Sequence, residues 1–122
     1  MKKILLIEDD QFLIDIYTTK LKEAGFSIEV AKSGREGLKM AKEKKFDLIL
    51  LDIVLPGLDG WEVLKRIKEG EESKKVPVVV LSNLGQKEEV EKGLKLGALK
   101  YIIKANYTPS ELVQEIKKIL PS

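Results

Sequence analysis

The chain predicts an α/β fold: a doubly wound, five-stranded parallel sheet with helices on both faces and strand order 2-1-3-4-5. Three observations carry the prediction. Five short runs rich in Ile, Leu and Val alternate with five amphipathic stretches along the 122 residues, and that rhythm builds βαβ units. Two runs, Leu48–Leu51 and residues 78–81, are apolar without a break, as strands covered on both faces are. Another, Ser27–Ala31, alternates Ile28 and Val30 with Glu29, the pattern of an edge strand. A closed barrel would need about eight units and twice the length. The length predicts a single domain over residues 1–122.

The elements follow in order. Lys3–Ile7 is the first strand, and a helix over 11–24 follows it with Leu13, Tyr17, Leu21 and Ala24 on one face and Gly25 as its stop. After the edge strand, Ser33-Gly34-Arg35-Glu36 has capping-box spacing and opens a helix carrying Leu38 and Ala41. The third strand, Leu48–Leu51, leads to a helix that starts near Asp59-Gly60 and carries Val63, Leu64 and Ile67. Pro77 introduces the fourth strand, and a helix over 86–96 turns Val90 and Leu94 inward before Gly97. Lys100–Ile103 is the fifth strand. Thr108 as N-cap, Pro109 at the first helical position and Glu111 then start the last helix. Its apolar face is Leu112, Val113, Ile116, Ile119 and Leu120.

Composition narrows the chemistry. Lys plus Arg is 22 and Asp plus Glu is 20, a net +2, which excludes a strongly basic nucleic-acid binder and an acidic tail protein. There is no Cys and no His, so thiolate chemistry, imidazole general bases and the usual zinc ligands are excluded. No apolar run approaches the ~20 residues that span a bilayer. The N-terminal Ile4-Leu5-Leu6-Ile7 is cut short by Glu8-Asp9-Asp10 and is no signal sequence. A cytoplasmic protein without direct nucleic-acid or membrane binding is expected.

In the order 2-1-3-4-5 the chain reverses direction between strands 1 and 3, and ligands bind beyond the carboxyl ends of the strands there. Glu8, Asp9 and Asp10 follow strand 1, Asp52 follows strand 3, Ser82 follows strand 4 and Lys104 follows strand 5. Carboxylates so close repel one another. A hard cation resolves the conflict, and oxygen-only donors favour Mg²⁺. Taken singly these residues have plainer uses. Asp9 or Asp10 serves equally as a helix cap, Ser82 and Lys104 stand out only by position, Asp59 reads as a cap or turn residue beside Gly57 and Gly60, and Trp61 as packing at a helix start.

Ile4-Leu5-Leu6-Ile7-Glu8-Asp9-Asp10, the segment 47–60 with its Asp52-Ile53-Val54-Leu55-Pro56-Gly57, then Leu81-Ser82 and Tyr101-Ile102-Ile103-Lys104 together resemble the receiver domain of two-component response regulators, chemotaxis receivers included. The resemblance runs through the whole chain and implies a flavodoxin-like (βα)5 fold. It implies that Asp52 accepts a phosphoryl group from the phosphohistidine of a sensor histidine kinase or phosphotransfer protein. Asp9 and Asp52 would hold Mg²⁺, with the Val54 carbonyl as a further ligand and Glu8 acting mainly through water. Ser82 and Lys104 would contact phosphoryl oxygens. Ser82 and Tyr101 would form the switch, with helix 4, strand 5 and helix 5 as the readout surface for a downstream output protein. The domain would catalyse its own phosphorylation and dephosphorylation without turning over a free substrate, as a monomer or a phosphorylation-dependent homodimer.

The sequence departs from the family pattern in three places. Ala105 follows Lys104 where proline is usual. A cis non-proline bond costs about 2.5–4 kcal/mol, so a trans bond is expected, in a rearranged loop that still points the ammonium inward. Asn83 follows Ser82 where a small residue is usual. Val54 and Leu84, two positions after Asp52 and Ser82, are apolar and leave nothing to orient an attacking water, which predicts slow self-dephosphorylation. The chain ends at Pro121-Ser122 with no output domain after the last helix, which fits a stand-alone module or a piece of a longer regulator. A phosphorylation-independent interaction module is the alternative, favoured by Lys104-Ala105. An aspartyl-phosphate hydrolase would carry a second acid where Val54 stands, and an acidic loop after strand 1 disfavours flavin phosphate.

Overall fold

The computed structural model describes residues 1–121. Its strands are β1 (Lys3–Ile7), β2 (Ser27–Ala31), β3 (Leu48–Leu51), β4 (Val78–Ser82) and β5 (Lys100–Ile103). Its helices are α1 (Gln11–Glu23), α2 (Gly34–Glu43), α3 (Gly60–Glu69), α4 (Lys87–Lys95) and α5 (Pro109–Ile119). The strands form one sheet in the order β2-β1-β3-β4-β5, and every pairing is parallel.

Alternation along the strands explains the two-faced core. Ile4, Leu6, Leu48, Leu50, Val79 and Leu81 point to one side, where α1 and α5 supply Ile14, Tyr17, Leu21, Leu112 and Ile116. Leu5, Ile7, Ile49, Leu51, Val78 and Val80 point to the other, against Ala41 of α2 and Val63, Leu64 and Ile67 of α3. A strand with apolar residues at successive positions can be satisfied only by helices on both faces, and each such side chain fully buried contributes ~1.5–3 kcal/mol.

The helix ends are fixed as the sequence predicts, with local differences. The Asp10, Ser33, Asp59 and Thr108 side chains accept from backbone N–H groups at the starts of α1, α2, α3 and α5. Thr108 and Glu111 complete a reciprocal box, whereas at α2 only the Ser33 half is formed. In α1 the deepest residues are Ile14, Tyr17 and Leu21, and Leu13 and Ala24 are only partly covered. The expected inward face of α4 is corrected. Leu94 is 46% exposed, Val90 is partly covered, and Gly93 is the buried position. The Tyr101 ring of β5 lies against this position, where a Cβ would come 2.8 Å from it.

Register sets the working end of the sheet. Ile7 pairs with Leu51 and Leu51 with Val80, so Glu8 and Asp52 leave adjacent strands side by side. Ser82 pairs with Ile103, which brings Lys104 to the same rim. The loop after β3 is shaped by two glycines. Gly57 has φ +72°, a conformation other residues rarely adopt. Gly60 donates to the Ile53 carbonyl at 2.9 Å, and a Cβ there would lie 2.5 Å from the Asp52 carbonyl oxygen. The start of α3 is thereby pressed onto the segment that carries Asp52.

Candidate functional site

Glu8, the residue after β1, is 1% exposed. Its Oε2 accepts from the backbone N–H groups of Asp9 and Asp10, each at 3.1 Å. Its Oε1 faces the Lys104 ammonium at 2.6 Å, too obliquely for a hydrogen bond, and has no hydrogen-bond partner of its own. Burial pushes the Glu8 carboxyl above the ordinary range and the nearby Asp52 charge adds to this, against the pull of Lys104.

Asp52 is also buried, 5% exposed. Its Oδ1 accepts from the Val54 N–H at 3.2 Å and its Oδ2 from Lys104 Nζ at 2.9 Å. Lys104 therefore bridges the two acids from a side chain that is itself only 10% exposed. Burial alone would lower its pKa, but the charges of Glu8 and Asp52 against it outweigh burial and the net shift is upward.

Asp9 and Asp10 divide the two uses that the sequence left open. Asp10 caps α1, its Oδ1 accepting from Phe12 and Leu13 N–H at 2.9 and 3.2 Å. Asp9 is exposed and stands with Glu8 and Asp52, one carboxylate oxygen from each lying within 4.8 Å of the others. This acidic cluster has the donor set and spacing to hold a hard metal ion.

The cluster lies in an open cleft of about 340 Å³ that Val54, Ser82, Asn83 and Lys104 also line. A larger hollow of about 780 Å³ is found around Gly25, Phe26 and Leu120, away from the acidic rim, and gathers no comparable set of acids. The Ser82 hydroxyl accepts from the Leu84 N–H at 3.3 Å. Val54, 59% exposed, forms part of the rim. Tyr101 is half-buried and donates its hydroxyl to the Leu84 carbonyl at 2.5 Å, so the switch candidate is tied to the same loop as Ser82. Burial raises its pKa.

The expectation for Lys104-Ala105 holds in both parts. Among the described residues no peptide bond is cis. Lys104–Asn106 forms a short 3-10 turn, and the ammonium points into the cleft. The structure thus brings all the sequence-predicted residues except Tyr101 to one cleft, and Tyr101 reaches it through the loop 83–86. One wall residue escaped the site reading, Leu13, whereas Asp10 was already placed beside the acids. The place of Leu13 as the third residue of the helix that starts beside the acids was the available signal.

The sequence matches the family described as the response regulator receiver domain over residues 4–117. It is 38% identical over 115 residues to the transcriptional regulatory protein HprR of Escherichia coli, covering 94% of this chain and 50% of that protein. The chain spans about half the length of such curated relatives. Among solved structures, the Vibrio cholerae chemotaxis protein CheY4 superposes with a TM-score of 0.90 at 28% identity, covering 98% of this chain and 99% of that one. The receiver domain of the Pseudomonas aeruginosa sensor histidine kinase PA1611, solved with a magnesium ion coordinated in its active-site cleft, gives a TM-score of 0.88 at 26% identity, covering 99% of this chain and 98% of that one. Sheet order, acid cluster and family match converge, and the chain belongs to the response regulator receiver domain family.

Proposed function

We propose that this chain is a cytoplasmic signalling module that takes a phosphoryl group onto Asp52 from the phosphohistidine of a sensor histidine kinase or phosphotransfer protein. One observation carries the reading: Glu8, Asp9 and Asp52 converge within 4.8 Å at the sheet's carboxyl rim, with the Lys104 ammonium on two of them. In the transfer an Asp52 carboxylate oxygen forms the new P–O bond as the donor's P–N bond breaks, and the imidazole leaves with the electron pair. Such transfers require chiefly alignment and neutralisation of charge. Lys104 brings a fixed positive charge, and the Ser82 hydroxyl, whose oxygen already accepts from Leu84, has a proton to donate to a phosphoryl oxygen.

The residues present fit Mg²⁺. The donors are all oxygen, and three carboxylates with oxygens within 4.8 Å of one another carry more negative charge than the one ammonium paired with two of them offsets. Asp9, Asp52 and the Val54 carbonyl would hold the ion, with Glu8 acting through water, and the ion would supply positive charge beside the transferring group. Phosphorylation adds charge and acceptor oxygens, and the loop 83–86 with Tyr101 is the path to a readout surface on α4, β5 and α5 that a downstream output protein would read. The alternative of a phosphorylation-independent module leaned on Lys104-Ala105, and a Lys104 ammonium 2.9 Å from Asp52 removes that support.

Intact-mass measurement after incubation with a small phosphodonor and Mg²⁺ tests the proposal. One phosphoryl adduct, absent from Asp52→Ala, is expected. An unmodified parent, or an equal adduct on the variant, would overturn it.

A further inference from the structure

Glycine in the middle of a helix is unfavourable beside alanine, yet Gly93 occupies the buried position of α4. A Cβ at Gly93 would lie 2.8 Å from Tyr101 Cδ2 and 3.1 Å from its Cε2. The first of these is closer than real Cβ contacts come, and both atoms belong to a rigid ring. The same Cβ would meet Trp61 Cζ3 at 3.7 Å, an ordinary contact, and Lys92 Nζ stands 4.5 Å from the centre of that indole ring. The missing side chain is thus a notch filled by Tyr101, with Trp61 along its wall. From the notch the Tyr101 hydroxyl reaches the Leu84 carbonyl at 2.5 Å, and Leu84 follows Ser82 and Asn83 in the loop that walls the acidic cleft.

We propose that Gly93 is a positioning residue: the notch it leaves in α4 holds the Tyr101 ring inward, so that the Tyr101 hydroxyl fastens the loop 83–86 beside the cleft. Filling the notch with one methyl group pushes the ring outward and releases the loop. Its use as part of a phosphorylation switch rests on the receiver function proposed above. The notch itself is a property of packing and is tested without any phosphodonor, so failure of either idea is seen separately.

The test places Gly93→Ala in two backgrounds, the parent and Tyr101→Ala. With the ring in place, alanine at 93 lowers Tm. With the ring removed, the same change raises Tm by about 4 °C, the gain expected when alanine replaces a mid-helix glycine. A rise in both backgrounds would show that no ring fills the notch, and a fall in both would show a packing need unrelated to Tyr101. Either overturns the proposal. Should Gly93→Ala alone fold poorly, the Gly93→Ala, Tyr101→Ala double variant still gives the decisive sign. Amide hydrogen exchange in residues 83–86 reads the positioning role directly. Tyr101→Phe, which keeps the ring and loses the hydroxyl, speeds that exchange. Gly93→Ala speeds it equally, and the two together are no faster than either alone. Unchanged exchange in Gly93→Ala, or fully additive effects, would sink the assignment.

Discussion

Two buried carboxylates share one ammonium at the rim of this sheet. Glu8 and Asp52 are 1% and 5% exposed, and Lys104 is the cation between them. Removing one partner of a buried ionic set leaves the rest uncompensated, typically costing ~3–5 kcal/mol. Lys104→Met is therefore expected to lower unfolding stability by about 3 kcal/mol in chelator, with part of the loss recovered when Mg²⁺ is added. Urea unfolding with and without the ion measures both. A variant as stable as the parent in chelator would show that the bridge carries no weight. Val54 and Leu84 matter at the same scale. The Val54 side chain stands 59% exposed on the rim, and neither residue offers a group that could orient water. A phosphorylated parent should lose its phosphate slowly, and Val54→Asn with Leu84→Glu should hasten the loss at least several-fold. Equal lifetimes would refute this. Glu115 gives a pH reading away from the cleft. Bonds to Lys100 and Lys118 hold its carboxyl at about 2. Its folded value lies below the unfolded one, so the pair stabilises above the unfolded carboxylate range near 4 and is lost as pH falls through about 2. An NMR titration should place Glu115 there, and Lys100→Ala should move it upward.

At the scale of elements, the strands were legible because their signal is covalently local. The apolar run at Leu48–Leu51 has only one way to be buried at every position, and β3 lies at the centre of the sheet with all four residues covered. Caps were legible for the same reason. Thr108→Ala should cost about 1 kcal/mol, since its hydroxyl accepts the Glu111 N–H at 3.1 Å, and thermal unfolding would measure it. Leu50→Ala, in the middle of the fully covered strand, should cost about 2–5 kcal/mol. The inward face of α4 was not legible. Hydrophobic spacing favours Leu94, but a helix can turn a glycine toward the sheet when a neighbouring ring needs the room, and the neighbour, Tyr101, belongs to another element. The site divided in the same way. That acids follow β1 and β3 can be read from the chain. That Asp10 caps α1 while Asp9 joins the cluster depends on the turn taken by three successive residues, and nothing in the residue types distinguishes them.

For the whole molecule, a parallel sheet gathers the charged ends of its loops at one rim, and the fold holds them there against their own repulsion. Three carboxylates within 4.8 Å with a single ammonium among them leave an excess of negative charge that a divalent cation relieves. A ligand that binds the folded chain and not the unfolded one stabilises it by mass action, by ~2.7 kcal/mol at a hundred times its dissociation constant. Saturating Mg²⁺ should accordingly raise Tm, by about 10 °C for a domain of this size, and Ca²⁺ should do so less well if the site favours the smaller ion's geometry. Asp9→Ala should abolish the rise without lowering Tm in chelator, and should raise it there to the extent that the three carboxylates repel, because Asp9 is exposed and is one of that cluster. The control is Asp10→Ala, which loses the α1 cap and lowers Tm in chelator yet keeps the Mg²⁺ increment. If instead both variants retained the full increment, the ion would be stabilising the chain somewhere other than the acidic rim, and the link from sheet register to metal chemistry would be broken.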